Sequence, residues 1–158
     1  MNKIEARVKG SEFVSDPHLV ILIDGSSLDS MLATHWPDRQ FNGLVPTLLG
    51  WLNDDRERAI VWQRILPTNE VRSVAPILMC PDDLDFWCTI VVADITANSN
   101  TVCWHRLGVD RSSPEDLPES IGSNVDWLDG IGNFEFDRLE YSEMLAEFRG
   151  THKPRNTA

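Results

Sequence analysis

The clearest pattern along the chain is a pair of alternating runs. Phe86 to Ile95 and Thr101 to Val109 are rich in β-branched and aromatic residues, and the polar stretch Thr96-Ala-Asn-Ser-Asn100 joins them. Such a pair predicts a β-hairpin with a polar turn. A side-chain period of two puts Val102, Trp104, Arg106 and Gly108 on one face of the second arm. Thr101, Cys103, His105, Leu107 and Val109 then share the other. Cys103, Leu107 and Val109 mark the core face, which leaves Trp104 and Arg106 open to solvent or to a partner.

Other segments read by the same logic. A short strand is expected at residues 3–8. His18-Leu-Val-Ile-Leu-Ile-Asp24 predicts a buried strand stopped by Gly25. Ser26 or Ser27 is placed to cap a helix through Thr34, with Leu28, Met31 and Leu32 on one face. Leu44, Leu48, Leu49 and Leu52 have helical spacing, with Pro46 tolerable only in a first turn. Asn53-Asp-Asp reads as a helix end or cap. Ala59 to Leu66 fits strand or helix, and Pro67 ends it either way. Val74 to Met79 predicts a strand with Pro76 at an edge or a start. Residues 112–132 are turn-rich and predict a long loop pinned by Ile121, Val125, Trp127 and Leu128. Asp137 to Arg149 predicts a terminal helix with Leu139, Met144, Leu145 and Phe148 as its apolar stripe and Gly150 as its stop. The expected architecture is a single α+β domain over residues 1–150, an antiparallel sheet with a central hairpin flanked by helices, followed by a polar tail at 151–158.

At 158 residues the chain is long enough to bury a core without a metal or disulfide staple. Its formal charge of −11 argues against nucleic acid and anionic membranes as partners. The apolar runs are too short to span a bilayer, and the first residues lack a secretory h-region, so a cytoplasmic protein is expected. The charge is uneven: residues 110–148 hold eleven acidic and two basic side chains. Arg outnumbers Lys eleven to three, as expected if some arginines pair with carboxylates in fixed geometry.

Several constellations bear chemistry. Asp82, Asp83 and Asp85 lie in Cys80-Pro-Asp-Asp-Leu-Asp-Phe-Trp-Cys88, just before the hairpin. Three close carboxylates are a possible Mg²⁺ site or general acid, although Pro-Asp-Asp is also turn chemistry. The string lacks the Gly and Glu positions of an EF-hand. Cys80, Cys88, Cys103 and His105 are zinc-ligand types without zinc-site spacing, so buried free thiols in a reducing cytosol are the plainer reading. Asp24-Gly-Ser-Ser at a strand end has no following Lys and reads as turn plus helix cap rather than a phosphate loop. Of the six tryptophans, Trp87 and Trp104 fall on the hairpin arms. A Trp beside acidic groups is a sound anchor for a basic protein partner.

Three strings together resemble a known group. They are Val20-Ile-Leu-Ile-Asp-Gly-Ser-Ser-Leu28, the stretch Ala75-Pro-Ile-Leu-Met-Cys-Pro-Asp-Asp-Leu-Asp-Phe-Trp-Cys88 with Thr101-Val-Cys-Trp-His-Arg-Leu-Gly-Val-Asp110, and Ile121-Gly-Ser-Asn-Val-Asp-Trp127. Over roughly residues 18–148 the chain resembles bacterial immunity proteins encoded beside polymorphic or contact-dependent growth-inhibition toxins. The resemblance implies a small, non-enzymatic cytosolic protein that binds one cognate toxin domain, often a basic nuclease. It brings no catalytic motif and no cofactor. The expected partner-binding residues are Asp82, Asp83 and Asp85 with Trp104 and Arg106, then Asp110, Glu115, Asp116 and Glu119. The alternatives are a metal-assisted hydrolase built on Asp82, Asp83 and Asp85, and a general adaptor for another basic partner.

Overall fold

The structure, a computed structural model, describes residues 1–9, 17–68, 71–113 and 115–150. The fold is α+β, and the described residues form nine strands in two antiparallel sheets and three α-helices. The tail expected at 151–158 lies outside the described residues.

The smaller sheet runs β1 (Ile4–Lys9), β2 (His18–Ile23) and β3 (Ser26–Ser27). Every residue of β2 is buried, which is why its sequence is a continuous apolar run. Between β2 and β3, Asp24 and Gly25 both take positive φ, 51° and 86°. That is the backbone a two-residue hairpin turn demands, and Asp-Gly supplies it. Asp24 also accepts from the Lys3 backbone and the Asn2 side chain, which holds its carboxyl below the usual range. Asp24-Gly-Ser-Ser is thus turn chemistry leading into α1 (Leu28–His35).

Where a helix over Leu44 to Leu52 is expected, the chain instead forms the two-residue strand β4 (Val45–Pro46) and one 3₁₀ turn, Thr47–Leu49. Pro46 sits in extended backbone, and Gly50, at φ 78°, ends the turn after three residues. The leucines are buried all the same, so their spacing records burial rather than an α-helix. The ambiguous run at Ala59 resolves as helix α2 (Asp55–Arg64), capped by Asp54 through the Arg56 amide.

The larger sheet has the order β4, β5 (Ser73–Met79), β6 (Ile90–Ala97), β7 (Thr101–Asp110) and β8 (Val125–Trp127). Strand β9 (Phe134–Asp137) pairs with the first half of β7, while β8 pairs with its end. Pro76 lies beside a register shift in β5 and outside the short stretch that β4 covers. The expected long loop at 112–132 therefore contains a strand, and Ile121 and Leu128 pin it to the core as anticipated. The terminal helix is α3 (Arg138–Gly150); Leu139 is 69% exposed and leaves the stripe to Tyr141, Met144, Leu145 and Phe148.

One irregularity sets the facing of β7. Asp94 pairs with Arg106 and Ile95 with Trp104, so His105 is an extra residue opposite none. A bulge of this kind flips the alternation. Val102 and Trp104 before it, and Leu107 and Val109 after it, consequently all face the core. Trp104 is fully buried, with Phe136 edge-on at 5.3 Å. Its Nε1 donates to Tyr141 Oη at 3.2 Å, and that hydroxyl donates to the Ile65 carbonyl at 2.6 Å. A single polar thread thus ties β7, α3 and the end of α2.

The opposite face of the hairpin carries a charged knot. Asp94 is buried and accepts from Arg72 Nε at 2.6 Å and from Arg106 Nε at 2.9 Å. Burial alone would raise its carboxyl, but the two guanidiniums outweigh this and hold it below the usual value. Arg106 in turn lies 3.9 Å from the Trp127 ring centroid, over its face. Arginines are used for such pairing throughout: Arg56 with Glu119, Arg39 and Arg111 with Asp126, and Arg58 with Asp55.

Candidate functional site

The chemistry-bearing residues gather at the loop between β5 and β6. The ladder between these strands continues one step past Met79 and Ile90, with the Cys80 amide donating to the Thr89 carbonyl at 3.2 Å. That step brings Cys80 beside Cys88 and closes residues 81–88 into a loop. Its inner points are fixed. Phe86 is buried in the core, Asp85 Oδ1 accepts from the Trp87 amide, and the Leu84 carbonyl accepts from the Asn53 amide. Leu84 takes φ 56°, an uncommon backbone for a branched residue, held here by those anchors.

Asp82 and Asp83 are exposed and Asp85 is half-buried. The three carboxylates do not converge. The ligand atoms that do converge belong to Cys80, Asp83 and Cys88, all within 4.8 Å of one another. An oxygen-only Mg²⁺ cage on Asp82, Asp83 and Asp85 is therefore not the arrangement present. Cys80 and Cys88 are half-buried rather than core thiols, and they line a pocket of about 430 Å³ together with Arg39, Gln40, Asn42 and Asp82. Burial, the neighbouring Cys80 thiol and the Asp83 carboxylate push the Cys88 thiol up to about 12. Cys103 lies elsewhere, beside Glu135, and His105 bonds Thr96, so neither joins this group.

Beneath the loop lies Glu57 of α2, 2% exposed, with Oε1 lacking a hydrogen-bond partner. Its carboxyl is pushed up to about 7, first by burial and then by the nearby charges of Asp54 and Asp85, while the Phe86 amide opposes the rise. Asp54 and Asp85 make this corner acidic, with Arg56 close enough to feel the Asp54 charge. A raised folded value means that the native state holds its proton to higher pH than the unfolded chain. Stability on this account is fullest below about pH 4.5 and declines as pH rises to about 7. Glu57→Gln is expected to raise stability by about 1–2 kcal/mol at pH 8 and to change little at pH 4, as read from denaturant midpoints at the two pH values.

The second set of acidic residues borders the same helix turn. Asn53 meets Leu84 on one side of the start of α2, and Arg56 pairs with Glu119 at 2.8 Å on the other. Glu115 and Asp116 are exposed in the segment that leads to Glu119, just before Leu117, which is 66% exposed. Asp116 also accepts from the Ser113 amide. Asp110, by contrast, is a loop organiser: its oxygens accept from the Ser112 amide and hydroxyl and from the Gly122 amide.

Trp104 is corrected from surface anchor to core residue, because the His105 bulge turns it inward. Arg106 is exposed as expected, but its guanidinium is committed to Asp94 and Trp127. The patterning alone does not reveal Glu57, since the start of α2 has no distinctive period, whereas Asp54 falls in the Asn53-Asp-Asp string read as a helix end or cap and is the N-cap of α2. Leu117, a lone leucine between acids, is visible in the string Pro-Glu-Asp-Leu-Pro-Glu only once the loop is known to lie at the surface. A further acidic trough of about 340 Å³ runs between β1 and α3, lined by Glu5, Glu140, Glu143 and Glu147. The spacing of the last three places them on one helix face.

Comparison of the chain with protein-family models, with curated proteins and with solved structures found no match. No helix of the described residues is long and apolar enough to cross a membrane.

Proposed function

We propose that the chain is an immunity-type inhibitor, a non-catalytic binding protein that docks on a basic toxin domain through the acidic end centred on the first turn of α2. The observation that carries this reading is the convergence at that turn. Asp54, the buried Glu57 and the loop with Asp82, Asp83 and Asp85 lie on one side, while Glu119, preceded in the chain by the exposed Glu115, Asp116 and Leu117, lies on the other. Arg56 and Arg58 are spent on Glu119 and Asp55 within this end, which leaves the exposed Asp82, Asp83, Glu115 and Asp116 to attract a cation-rich surface. Leu117 supplies the apolar contact that Trp104 does not. Trp87, half-buried in the loop, offers a second.

The test is calorimetry, with stopped-flow mixing for the association rate, against the toxin domain expected in the adjacent reading frame. A one-to-one complex is expected, with association slowed as salt rises. Reversing charge in Asp82→Lys/Asp83→Lys should slow association by on the order of ten-fold at low ionic strength. Asp110→Asn should act through stability alone. Two folded proteins that fail to associate would overturn the proposal.

A further inference from the structure

We propose that Cys80, Asp83 and Cys88 form a binding site for a thiophilic divalent cation of the zinc type. The reading goes beyond partner docking and stands on a different observation, the convergence of two thiols and one carboxylate to within 4.8 Å. Three side chains meet there because separate parts of the fold deliver them. Cys80 directly follows β5, Cys88 sits next to its ladder partner Thr89, and Asp83 comes from the loop between them.

The loop is braced from outside the ligand group, by Phe86 in the core, the Asn53 amide on Leu84 and the Asp85 carboxylate on Trp87. The three donors are therefore positioned before any ion arrives, which lowers the ordering cost of binding. Zinc ligands sit about 2.0–2.3 Å from the metal, so the group needs only a modest contraction by side-chain rotation. Two sulfurs with one oxygen suit zinc; Mg²⁺ and Ca²⁺ want oxygens throughout. Three protein ligands leave a fourth position for water, and the adjoining pocket lined by Cys80 and Cys88 gives that water access.

The charge balance is simple. Binding one dication to both thiolates and the carboxylate releases two thiol protons. The site carries the same net −1 before and after, so a loaded ion leaves the acidic end acidic. Cys103, beside Glu135 and outside the group, serves as an internal control.

The experiment titrates the reduced full chain with Co²⁺ and then displaces it with Zn²⁺, with no partner present, so its outcome is independent of the docking proposal. A sulfur-to-cobalt charge-transfer band that saturates at one equivalent is expected. The band should vanish in Cys80→Ser and in Cys88→Ser and persist in Cys103→Ser. Asp83→Asn should weaken binding by about ten-fold or more. The unaltered chain gives a check that needs no variant: Zn²⁺ should slow alkylation of Cys80 and Cys88 and leave the rate at Cys103 unchanged. Absence of a saturable band in folded protein, a band that survives loss of either cysteine, or equal protection of Cys103 would overturn the site. So would a Cys80–Cys88 disulfide that persists in excess thiol reductant.

Discussion

Trp104→Ala is expected to cost about 3–5 kcal/mol, a large share of the roughly 5–15 kcal/mol that holds a typical domain together. The indole is fully buried, its ring meets Phe136 and Tyr141 edge-on, and its Nε1 donates to the Tyr141 hydroxyl. Truncation removes the large apolar surface and leaves a cavity between β7, β9 and α3. The Tyr141 hydroxyl retains its bond to the Ile65 carbonyl, so the loss is chiefly one of packing. Trp104→Phe keeps most of the volume and should cost only about half as much. Denaturant unfolding monitored by circular dichroism gives the two values. The same pair separates core from interface: Trp104→Phe should bind a partner as tightly as the parent, and a large loss of affinity in a folded Trp104→Phe protein would refute the inward placement.

Asp94→Asn is expected to cost about 2–3 kcal/mol near neutral pH. Removing one partner of a buried ion pair typically costs about 3–5 kcal/mol. The figure here sits lower because both guanidiniums are about half exposed, 58% and 51%, and recover some hydration when the charge is removed. The pH dependence follows from the direction of the shift. Asp94 is held below its ordinary value of 3.8, so the unfolded chain takes up the proton first as pH falls. The stabilisation is fully present above about pH 4 and is lost as pH drops through the lower, folded value. Parent and Asp94→Asn should differ by a constant amount between pH 5 and pH 8 and converge in stronger acid. A gap that widens in acid would mean that the arginines do not hold the carboxylate in its charged form.

Much of the fold is legible in the pattern of residues. Strand β2 is a continuous apolar run, the β6–β7 hairpin alternates around a polar turn, and α3 ends near a glycine. What could not be read was set by backbone irregularity or by pairing register. One inserted residue, His105, exchanges the facing of half of β7, and no local composition marks it. Leu44 to Leu52 has the spacing of a helix, yet Pro46 in extended backbone and Gly50 with positive φ divide it into a strand and a 3₁₀ turn. The Asp82–Asp85 string stands out from its carboxylates alone. That its working neighbours are sulfurs depends on the β5–β6 register placing Cys80 opposite Thr89, eight residues away from Cys88 in sequence but adjacent in space. Asp110 looks like any other surface acid in the sequence, and only the turn around Ser112 and Gly122 reveals that its oxygens are occupied.

The seam between the two ends of the fold imposes an order on biosynthesis. Asn2 donates its backbone amide to the Glu135 carbonyl and returns a side-chain bond to the Glu135 amide, and Glu140 accepts from the amide of Ile4. Within this fold, β1 leaves the ribosome well before the segment that covers its border. Until β9 and α3 emerge, the outer border of β1 stays unsealed in the nascent chain. A polypeptide stalled or cut before Phe134 keeps an open border through which copies can pair and aggregate.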